Sequence, residues 1–384
     1  PRHKDLPVGL GIYLDSLDNG RPQQFPRPGI DLVASIAATV KRKLRHYADG
    51  KIHRQQYRFD DSREMTMIGI TAFGAYIPRM RLQKKVIADA NSWFDASLKG
   101  LGRGEKAVCN WDEDAVTMAV DAASDCLGKN NDRRAAGLIF ASTSGPFLDR
   151  QHSVVIAEAL NLELNALRTA DVTASQRAAT SALLFGLDLA AGGSSSEVVV
   201  VGSEHRRTQV ATREEMLYGD GAAALTVGSD NVIAEFVDSH CMADDFIDHY
   251  RADGSKYDYG WEERWVRDEG YMKLVPAAVN GLLEKANVDV TQIKHFVLAT
   301  DQNRVPAMLG KSLGLNGEAI ADNLLDSVGI TGAAHPLLLL AHRHEQAQPN
   351  DLILVGGFGQ GCRQPIFYVS ARRQELRCFV IYRR

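Results

Sequence analysis

The stretch "ADVTASQRAATSAL", residues 170–183, has the pattern of a buried strand that ends where a helix begins. Small residues follow the junction, so a helix starting there can pack tightly, and the unpaired N–H groups of its first turn favour negative charge. Many acyl-transferring enzymes present a nucleophile at such a junction. The position expected to be exposed here is Gln176, an amide that cannot attack a carbonyl, and a shift of one residue would place Ser175 or Arg177 there.

Three further side chains have the types needed for acid–base chemistry. Glu113 stands in "WDEDAVTMA", where it is either a general acid/base or part of an acidic first helical turn with Asp112 as its N-cap. Asp301 follows the apolar strand pattern of "FVLATDQNRVP", and His335 stands in "VGITGAAHP". A carboxylate can orient an imidazole, so Asp301 and His335 could form an acid/base pair. The alternative is that His335 caps its helix or binds a backbone carbonyl.

The composition excludes several classes of function. The chain has 384 residues, 45% of them hydrophobic, and a net charge of -4. Without a basic stripe there is no electrostatic basis for binding nucleic acid. The apolar runs are too short or too charged to span a membrane, and "PRHKDLPVGL" does not resemble a secretory signal. We therefore expect a cytoplasmic protein.

The five cysteines are scattered, with no CxxC pair, at positions 109, 126, 241, 362 and 378. This odd number and wide spacing argue against a disulfide framework and against a metal site. We expect the thiols to be reduced.

The chain divides by composition. Residues 1–64 are rich in turn formers and polar residues, and the alternation of strands and helices begins near Met65 or Met67. We predict an N-terminal extension over 1–64, a first α/β half over 65–230, a second over 231–371, and a tail over 372–384. "EVVVVGSE" followed by "GDGAAALTVG" resembles "DLILVGGFGQGC" followed by "PIFYVS", which suggests a duplication.

Residues 248–271, "DHYRADGSKYDYGWEERWVRDEGY", stand apart from this alternation. They mix Tyr and Trp with many charges and show neither a helical nor a strand period. Aromatic residues and arginine are enriched at protein interfaces, so the segment is either a partner contact or part of a binding site's rim. The alternative is a surface excursion that packs on its own domain.

Six motifs in order resemble the thiolase superfamily, nearest to the branch of 3-hydroxy-3-methylglutaryl-CoA synthases and initiating ketoacyl-ACP synthases. They are "IGITAFGAYIPRMRL", "DEDAVTMAVDAA", "ADVTASQRAATSAL", "GDGAAALTVG", "DSVGITGAAHPLLLLA" and "GGFGQGC". The resemblance implies a five-layer αβαβα fold of two duplicated halves and an obligate homodimer through the first half. It also implies one active site per subunit at the base of an acyl-CoA tunnel, with acyl-CoA as substrate or ligand and no further cofactor.

The resemblance also implies where the family's catalytic residues should lie. The family's glutamate corresponds to Glu113, its nucleophilic cysteine to Gln176, its histidine to Asp301 and its asparagine to Ile330. The scaffold motifs are therefore present while three of the four catalytic residue types differ. Glutamine can mimic an acylated cysteine, but neither Asp301 nor Ile330 offers a ready hydrogen bond to an enolate oxygen.

Two hypotheses follow. The first is a non-condensing subunit that associates with a thiolase and a small OB-fold acyl-CoA-associated protein, as the resemblance implies for some relatives. The second is an enzyme of altered acyl-CoA chemistry, such as hydrolysis, retro-Claisen cleavage or proton transfer, that uses Glu113, Asp301 and His335. Ordinary condensation is the least favoured alternative.

Overall fold

The computed structural model describes residues 67–128, 135–192 and 197–360, and the backbone of 363–371. The extension 1–64 and the tail 372–384 lie outside the described residues. None of the helices in this part of the chain combines the length and apolarity needed to cross a membrane.

Thirteen strands occur in the described residues. They are β1 (Gly69–Tyr76), β2 (Met80–Gln83), β3 (Glu105–Val108), β4 (Ala135–Ala141), β5 (Arg168–Val172), β6 (Glu197–Glu204), β7 (Gly221–Gly228), β8 (Ala234–Met242), β9 (His249–Tyr250), β10 (Tyr259–Gly260), β11 (Ile293–Leu298), β12 (Leu352–Gly356) and β13 (Arg363–Ala371). The main sheet has nine strands in the order β11-β12-β13-β8-β1-β7-β6-β4-β5, and β2–β3 and β9–β10 form separate pairs.

Eight α-helices of five or more residues occur in the described residues. They are α1 (Lys84–Asn91), α2 (Ala115–Leu127), α3 (His152–Ala159), α4 (Ala178–Ala191), α5 (Arg213–Leu217), α6 (Met272–Ala286), α7 (Val305–Leu313) and α8 (His335–His344). A short helical turn at Glu263–Trp265 and a π-helical turn at Val266–Tyr271 lead into α6, and 3₁₀ turns occur at Ala96–Leu101, Val290–Gln292, Gly317–Ala319 and Gly332–Ala334.

The main sheet repeats one pattern of pairing. In the first half β4 runs parallel to β6, β6 antiparallel to β7 and β7 antiparallel to β1. In the second half β11 runs parallel to β12, β12 antiparallel to β13 and β13 antiparallel to β8. The halves join where β1 meets β8, with Ile70 opposite Ala234. The duplicated thiolase-like α/β fold expected from the motifs is therefore confirmed.

Helices α4 and α8 form the central layer. They contact each other, and they pack against strands of the first half (β6 and β7) and of the second half (β11 and β12), so the sheet curls around them. Helix α2 covers the outer face of the first half, and α6 with α7 covers that of the second. The apolar run Val198–Val201 in β6 is fully buried because helices lie on both faces.

Small residues allow the central helices to approach the sheet. Ala178, Ala179 and Ala182 of α4 are at most 1% exposed. At Gly202 of β6, an added Cβ would lie 3.0 Å from the Ala179 Cβ and 3.1 Å from the Ala334 Cα. The start of α4 and the turn before α8 are therefore held against the same strand end.

Two local predictions need correction. The N-cap of α2 is Asp114 and not Asp112, because the Asp114 carboxylate accepts from the backbone N–H groups of Val116 and Thr117, while Thr117 Oγ1 accepts from the Asp114 N–H in return. Strand β5, expected to be buried before α4, is the edge of the main sheet with Arg168, Ala170 and Asp171 exposed.

His335 lies at the start of α8 and is fully buried. Its Nδ1 is 3.2 Å from the Thr331 backbone N–H and 3.1 Å from Thr331 Oγ1, and its Nε2 is 3.0 Å from the Asn323 carbonyl oxygen. Burial, opposed in part by the bond to Asn323, lowers the pKa of His335 to about 4. The imidazole is neutral at pH 7 and joins the turn before α8 to residue 323.

The contact between β1 and α2 gives a test of the packing. A Cβ at Gly74 would lie 2.3 Å from the Cys126 backbone nitrogen and 2.8 Å from the Ala122 carbonyl oxygen. Because both neighbours are backbone atoms, we expect Gly74→Ala to lower the free energy of unfolding by about 1–3 kcal/mol or more in urea titrations. Gly100→Ala is the matched control, since nothing lies within 4 Å of its added Cβ. Equal stability of the two variants would contradict this packing.

His335 gives a prediction for acid stability. The unfolded imidazole has a pKa of about 6.5 and so binds a proton more readily than the folded one, which means that stability falls as the pH falls. Between pH 7.5 and pH 5 this group should cost about 2 kcal/mol of the free energy of unfolding. We expect His335→Gln to lose that part of the pH dependence in urea titrations, even if it is less stable at pH 7.5.

The control for this measurement is His342→Gln, at a partly exposed position of the same helix. The loss of pH dependence should be larger in His335→Gln than in this control. Both variants keep the contribution of buried His344, whose pKa burial also lowers to about 4. Parallel pH profiles for the wild type and His335→Gln would show that His335 is not held neutral.

Candidate functional site

Gln176 lies in the turn between β5 and α4 and faces a cavity of about 120 Å³. Ala174 in this turn has a φ of +67°, and Ser175 Oγ donates to the Gln360 carbonyl oxygen at 3.0 Å. The backbone path thus directs residue 176 toward the cavity while Ser175 faces the loop after β12. The cavity is lined by Gln176, Arg206, Arg213, Glu214, Tyr218, Asp248, His249, Gly260, Trp261, Glu263, Val266, Tyr271, Ala299, Thr300, Asp301, Gln302, Ile330, Gly332 and Phe358.

Gly332 is needed for this geometry. It has a φ of +51°, and a Cβ there would lie 2.8 Å from Gln176 Oε1 and 2.9 Å from Arg206 Nε. A side chain at this position would collide with both polar groups. The glycine turn before α8 therefore forms the wall behind the Gln176 amide.

Asp301 and Ile330, the two other positions expected near Gln176, also line the cavity. Asp301 follows β11, and its Oδ2 accepts from Arg213 Nη1 at 2.5 Å. Arg213 Nε lies a further 3.3 Å from Glu263 Oε2. Burial would lower the pKa of Arg213, but the neighbouring Asp301 carboxylate raises it above its usual value. The Asp301 carboxylate is thus compensated by a permanent cation.

Ile330 presents an apolar side chain, only 7% exposed, where its backbone bridges to the segment after α5. Its N–H donates to the Leu217 carbonyl oxygen at 2.8 Å, and its carbonyl accepts from the Gly219 N–H at 3.2 Å. Both backbone groups are therefore occupied, and the position offers the cavity no hydrogen-bond donor.

The structure does not bring Glu113 or His335 into this cavity. Glu113 precedes α2, where Oε1 accepts from the Tyr76 hydroxyl and Oε2 accepts from the Asn110 N–H at 2.5 Å. Both oxygens thus have partners outside the cavity wall. His335 uses one ring nitrogen to bind Thr331 in its own turn and the other to bind the Asn323 carbonyl oxygen. Of the four residues singled out for acid–base or nucleophilic roles, Gln176 and Asp301 come together.

His249 and Asp248 are cavity residues that the motifs did not reveal. His249 Nδ1 lies 3.1 Å from Asp248 Oδ2, and His249 Nε2 lies 3.2 Å from the side-chain nitrogen of Gln176 and 3.2 Å from that of Gln360. Burial would lower the pKa of His249, but the Asp248 charge and hydrogen bond raise it above the usual value. The available signal was the aromatic and charged segment 248–271, which contains both residues.

A buried arginine completes the inner wall. The Arg206 guanidinium stacks on the Tyr218 ring, 3.5 Å from its centroid, and lies 3.5 Å from Asp258 Oδ2 and 3.9 Å from Glu204 Oε2. Asp258 also pairs with Arg251 at 2.7 Å. Burial lowers the pKa of Arg206, but its anionic neighbours outweigh this effect and raise it. The guanidinium is therefore a fixed positive group beside the Gln176 amide.

The outer wall of the cavity comes largely from residues 248–271. Trp261, Val266 and Tyr271 line it together with Phe358, which stacks on Tyr271 at a centroid distance of 4.1 Å. Trp261 is 46% exposed, so it lies where the cavity meets solvent. The segment therefore contributes the rim of this cavity. Among its lining residues none is a cysteine or a serine.

Comparisons with known proteins agree with this fold. The model of the 3-oxoacyl-[acyl-carrier-protein (ACP)] synthase III C-terminal family matches residues 283–364. Among solved structures, 3-oxoacyl-(acyl carrier protein) synthase III from Pseudomonas aeruginosa superposes with a TM-score of 0.69 at 21% identity, covering 81% of this chain and 99% of that one. A hydroxymethylglutaryl-CoA synthase complexed with CoA gives 0.68 at 20% identity, covering 80% and 83%.

The sequence relatives are more specific. The hydroxymethylglutaryl-CoA synthase of Caldivirga maquilingensis is 30% identical over 313 residues, which cover 80% of this chain and 88% of that protein. The corresponding synthase of Aeropyrum pernix is 31% identical over 297 residues, which cover 76% and 82%. With this identity over most of both chains, and with the duplicated fold around α4 and α8, the chain belongs to the hydroxymethylglutaryl-CoA synthase family of the thiolase superfamily.

Proposed function

We propose that this protein is a hydroxymethylglutaryl-CoA synthase-like, acyl-CoA-associated subunit that does not condense acyl groups. The observation that carries the proposal is Gln176, an amide at the cavity-facing start of α4 that lies 3.2 Å from His249 Nε2. A carboxamide has the shape of an acyl thioester carbonyl, but its nitrogen cannot take up an acyl group from acyl-CoA as a cysteine thiolate does. The site is thus built to hold the shape of an acylated residue and not to become acylated.

The two neighbouring positions support the absence of condensation. A Claisen condensation places negative charge on an enolate oxygen, which needs hydrogen-bond donors aimed at it. Asp301 is a carboxylate whose positive partner, Arg213, is already engaged, and Ile330 has no side-chain donor. Loss of one such donor typically costs about 10²–10³ in rate. We propose that Gln176, Asp301 and Ile330 replace the family's cysteine, histidine and asparagine.

We propose a homodimer through the first half, with the open edge of β5 at its centre. Asp171 of β5 accepts from the His152 N–H at 2.7 Å, and the His152 ring stacks on Phe147, whose neighbour Leu148 is fully exposed. An exposed strand edge beside exposed apolar side chains is typical of a surface that pairs with another chain. A thiolase and a small OB-fold protein are the proposed further partners.

One observation favours a second candidate function. The His249–Asp248 pair has the arrangement of a general base oriented by a carboxylate, and it faces the same cavity as Gln176. An enzyme of altered acyl-CoA chemistry would use this pair, and Asp301, in place of Glu113 and His335. Hydrolysis and proton transfer are reactions that such a pair can perform.

Co-purification and turnover distinguish these functions. We expect the chain, co-expressed with a thiolase and a small OB-fold protein from the same organism, to form a stable complex in size-exclusion chromatography. The isolated chain should show no acyl-CoA consumption above the uncatalysed rate by liquid chromatography, because neither a cysteine nor a serine lines the cavity. His249→Gln should leave this baseline unchanged.

The control for the turnover assay is His342→Gln, which changes a partly exposed histidine far along α8 from the cavity-facing turn. Acyl-CoA turnover that His249→Gln abolishes and His342→Gln does not would establish the altered enzyme. Failure to form a complex with either protein, in the absence of turnover, would contradict the proposed subunit role.

Restoring a thiol tests whether the nucleophile alone is missing. We expect Gln176→Cys to gain an acetyl group from acetyl-CoA, detectable by mass spectrometry of the intact protein, because the start of α4 favours a thiolate. Condensation should nevertheless stay at least about 10²-fold below that of an active synthase, since Asp301 and Ile330 still provide no donor for the enolate.

Two variants complete this experiment. Gln176→Ser controls for acetylation at the five natural cysteines, and the triple variant Gln176→Cys, Asp301→His, Ile330→Asn should raise condensation above the single variant. Condensation by Gln176→Cys alone at the rate of an active synthase would show that Asp301 and Ile330 do not limit the reaction.

A further inference from the structure

Three potential metal ligands meet at a second position of the described fold. Cys109 directly follows β3, His205 directly follows β6 and Asp220 directly precedes β7. One donor atom from each lies within 4.8 Å of the other two. The three residues are distant along the chain, which is why the scattered cysteine positions gave no sign of a metal site. The folded strand ends bring them together.

The carboxylate of this cluster is held in a fixed orientation. Asp220 Oδ2 accepts from the Cys109 backbone N–H at 2.8 Å, which turns Oδ1 toward His205. A ligand that is oriented by a neighbouring N–H is typical of protein metal sites. Cys109 and Asp220 are each 8% exposed, whereas the His205 side chain is 41% exposed, so the cluster opens to solvent on the histidine side.

The histidine nitrogen has the position of a ligand. His205 Nδ1 lies 3.1 Å from Asp220 Oδ1, yet it is buried and makes no hydrogen bond of acceptable geometry. Two ligands on one tetrahedral zinc ion, at about 2.0–2.2 Å each, lie roughly 3.4 Å apart. The spacing of these two atoms therefore suits a shared ion.

We propose that Cys109, His205 and Asp220 bind one Zn²⁺ ion, with the fourth coordination position open to a second cavity. Cysteine sulfur, histidine nitrogen and aspartate oxygen are ligand types that zinc accepts together, and three protein ligands with one open position is the pattern of accessible zinc sites. Cys109 binds as a thiolate, and its proton passes to the solvent.

The second cavity suggests the fourth ligand. It has a volume of about 320 Å³ and is lined by Lys106, Ala107, Val108, His205, Arg206, Arg207, Thr208, Tyr218, Asp220 and Tyr257. Lys106 and Arg207 add positive charge around an ion whose charge the thiolate and carboxylate already neutralise. An anion, such as a small carboxylate, is therefore favoured as the exchangeable ligand.

Metal titration of the full chain tests the proposal. After chelator treatment of protein without a polyhistidine tag, we expect one Zn²⁺ per chain in competition titrations against a fluorescent chelator. Co²⁺ should give the thiolate-to-cobalt charge-transfer band in the near ultraviolet, and added Zn²⁺ should remove it. Cys109→Ser should abolish this band and weaken Zn²⁺ binding more than the about 10–100-fold typical of losing an outer-shell partner.

Matched variants exclude other thiols and misfolding. Cys241→Ser, at an exposed position in β8, should keep the band and the affinity. If circular dichroism shows that Cys109→Ser does not fold, His205→Gln is tested in its place, because His205 is partly exposed. Loss of this ligand should weaken Zn²⁺ binding by the same factor. Absence of the band in the wild type, or unchanged Zn²⁺ affinity in a folded Cys109→Ser or His205→Gln variant, would overturn the proposal.

Discussion

The close approach of α4 and α8 to β6 is the contact on which the rest of the structure depends. Gly202 leaves room for both Ala179 of α4 and Ala334 before α8, since an added Cβ would lie only 3.0 Å from the Ala179 Cβ and 3.1 Å from the Ala334 Cα. Because α4 and α8 begin this close together, Gln176 before α4 and Gly332 before α8 face each other. The cavity is therefore a result of how the two halves pack, and a larger residue at 202 would move both walls.

Charge compensation shapes what this cavity can do. Two carboxylates in and behind its wall are matched by arginines: Asp301 by Arg213, and Asp258 by Arg206 and Arg251. Ion pairs of this kind hold side chains in place without offering free charge to a ligand. Gln176 and His249 lie in contact on the cavity wall, with the Gln176 side-chain nitrogen 3.2 Å from His249 Nε2. The inner end of the cavity is thus an amide–imidazole surface beside an aromatic rim.

Much of the fold follows from local patterns. The apolar run of β6 and the small residues of α4 each point to a buried element, and the apolar strand and glycine turn of β6–β7, repeated in β12–β13, point to the duplication. The surroundings of β5 were misjudged because burial of a strand depends on what pairs with it, and the far edge of β5 has no partner within the described chain.

The site was less accessible to sequence reasoning. Gln176, Asp301 and Ile330 could be placed because each lies beside a motif that packs in a fixed way. His249 lies in a segment without a period, so nothing local shows that it reaches Gln176. Cys109, His205 and Asp220 are separate in sequence and meet because β3 and β6 end, and β7 begins, at one place.

Arg206 and Tyr218 line both cavities, so a single stacked pair forms the partition between them. A ligand that shifts the guanidinium from one side alters the space on the other. If ligand binding in one cavity moves this pair, the two cavities are thermodynamically linked: the factor by which a ligand in the first changes affinity in the second equals the factor in the reverse direction. The stacked pair would then couple the two cavities within one subunit.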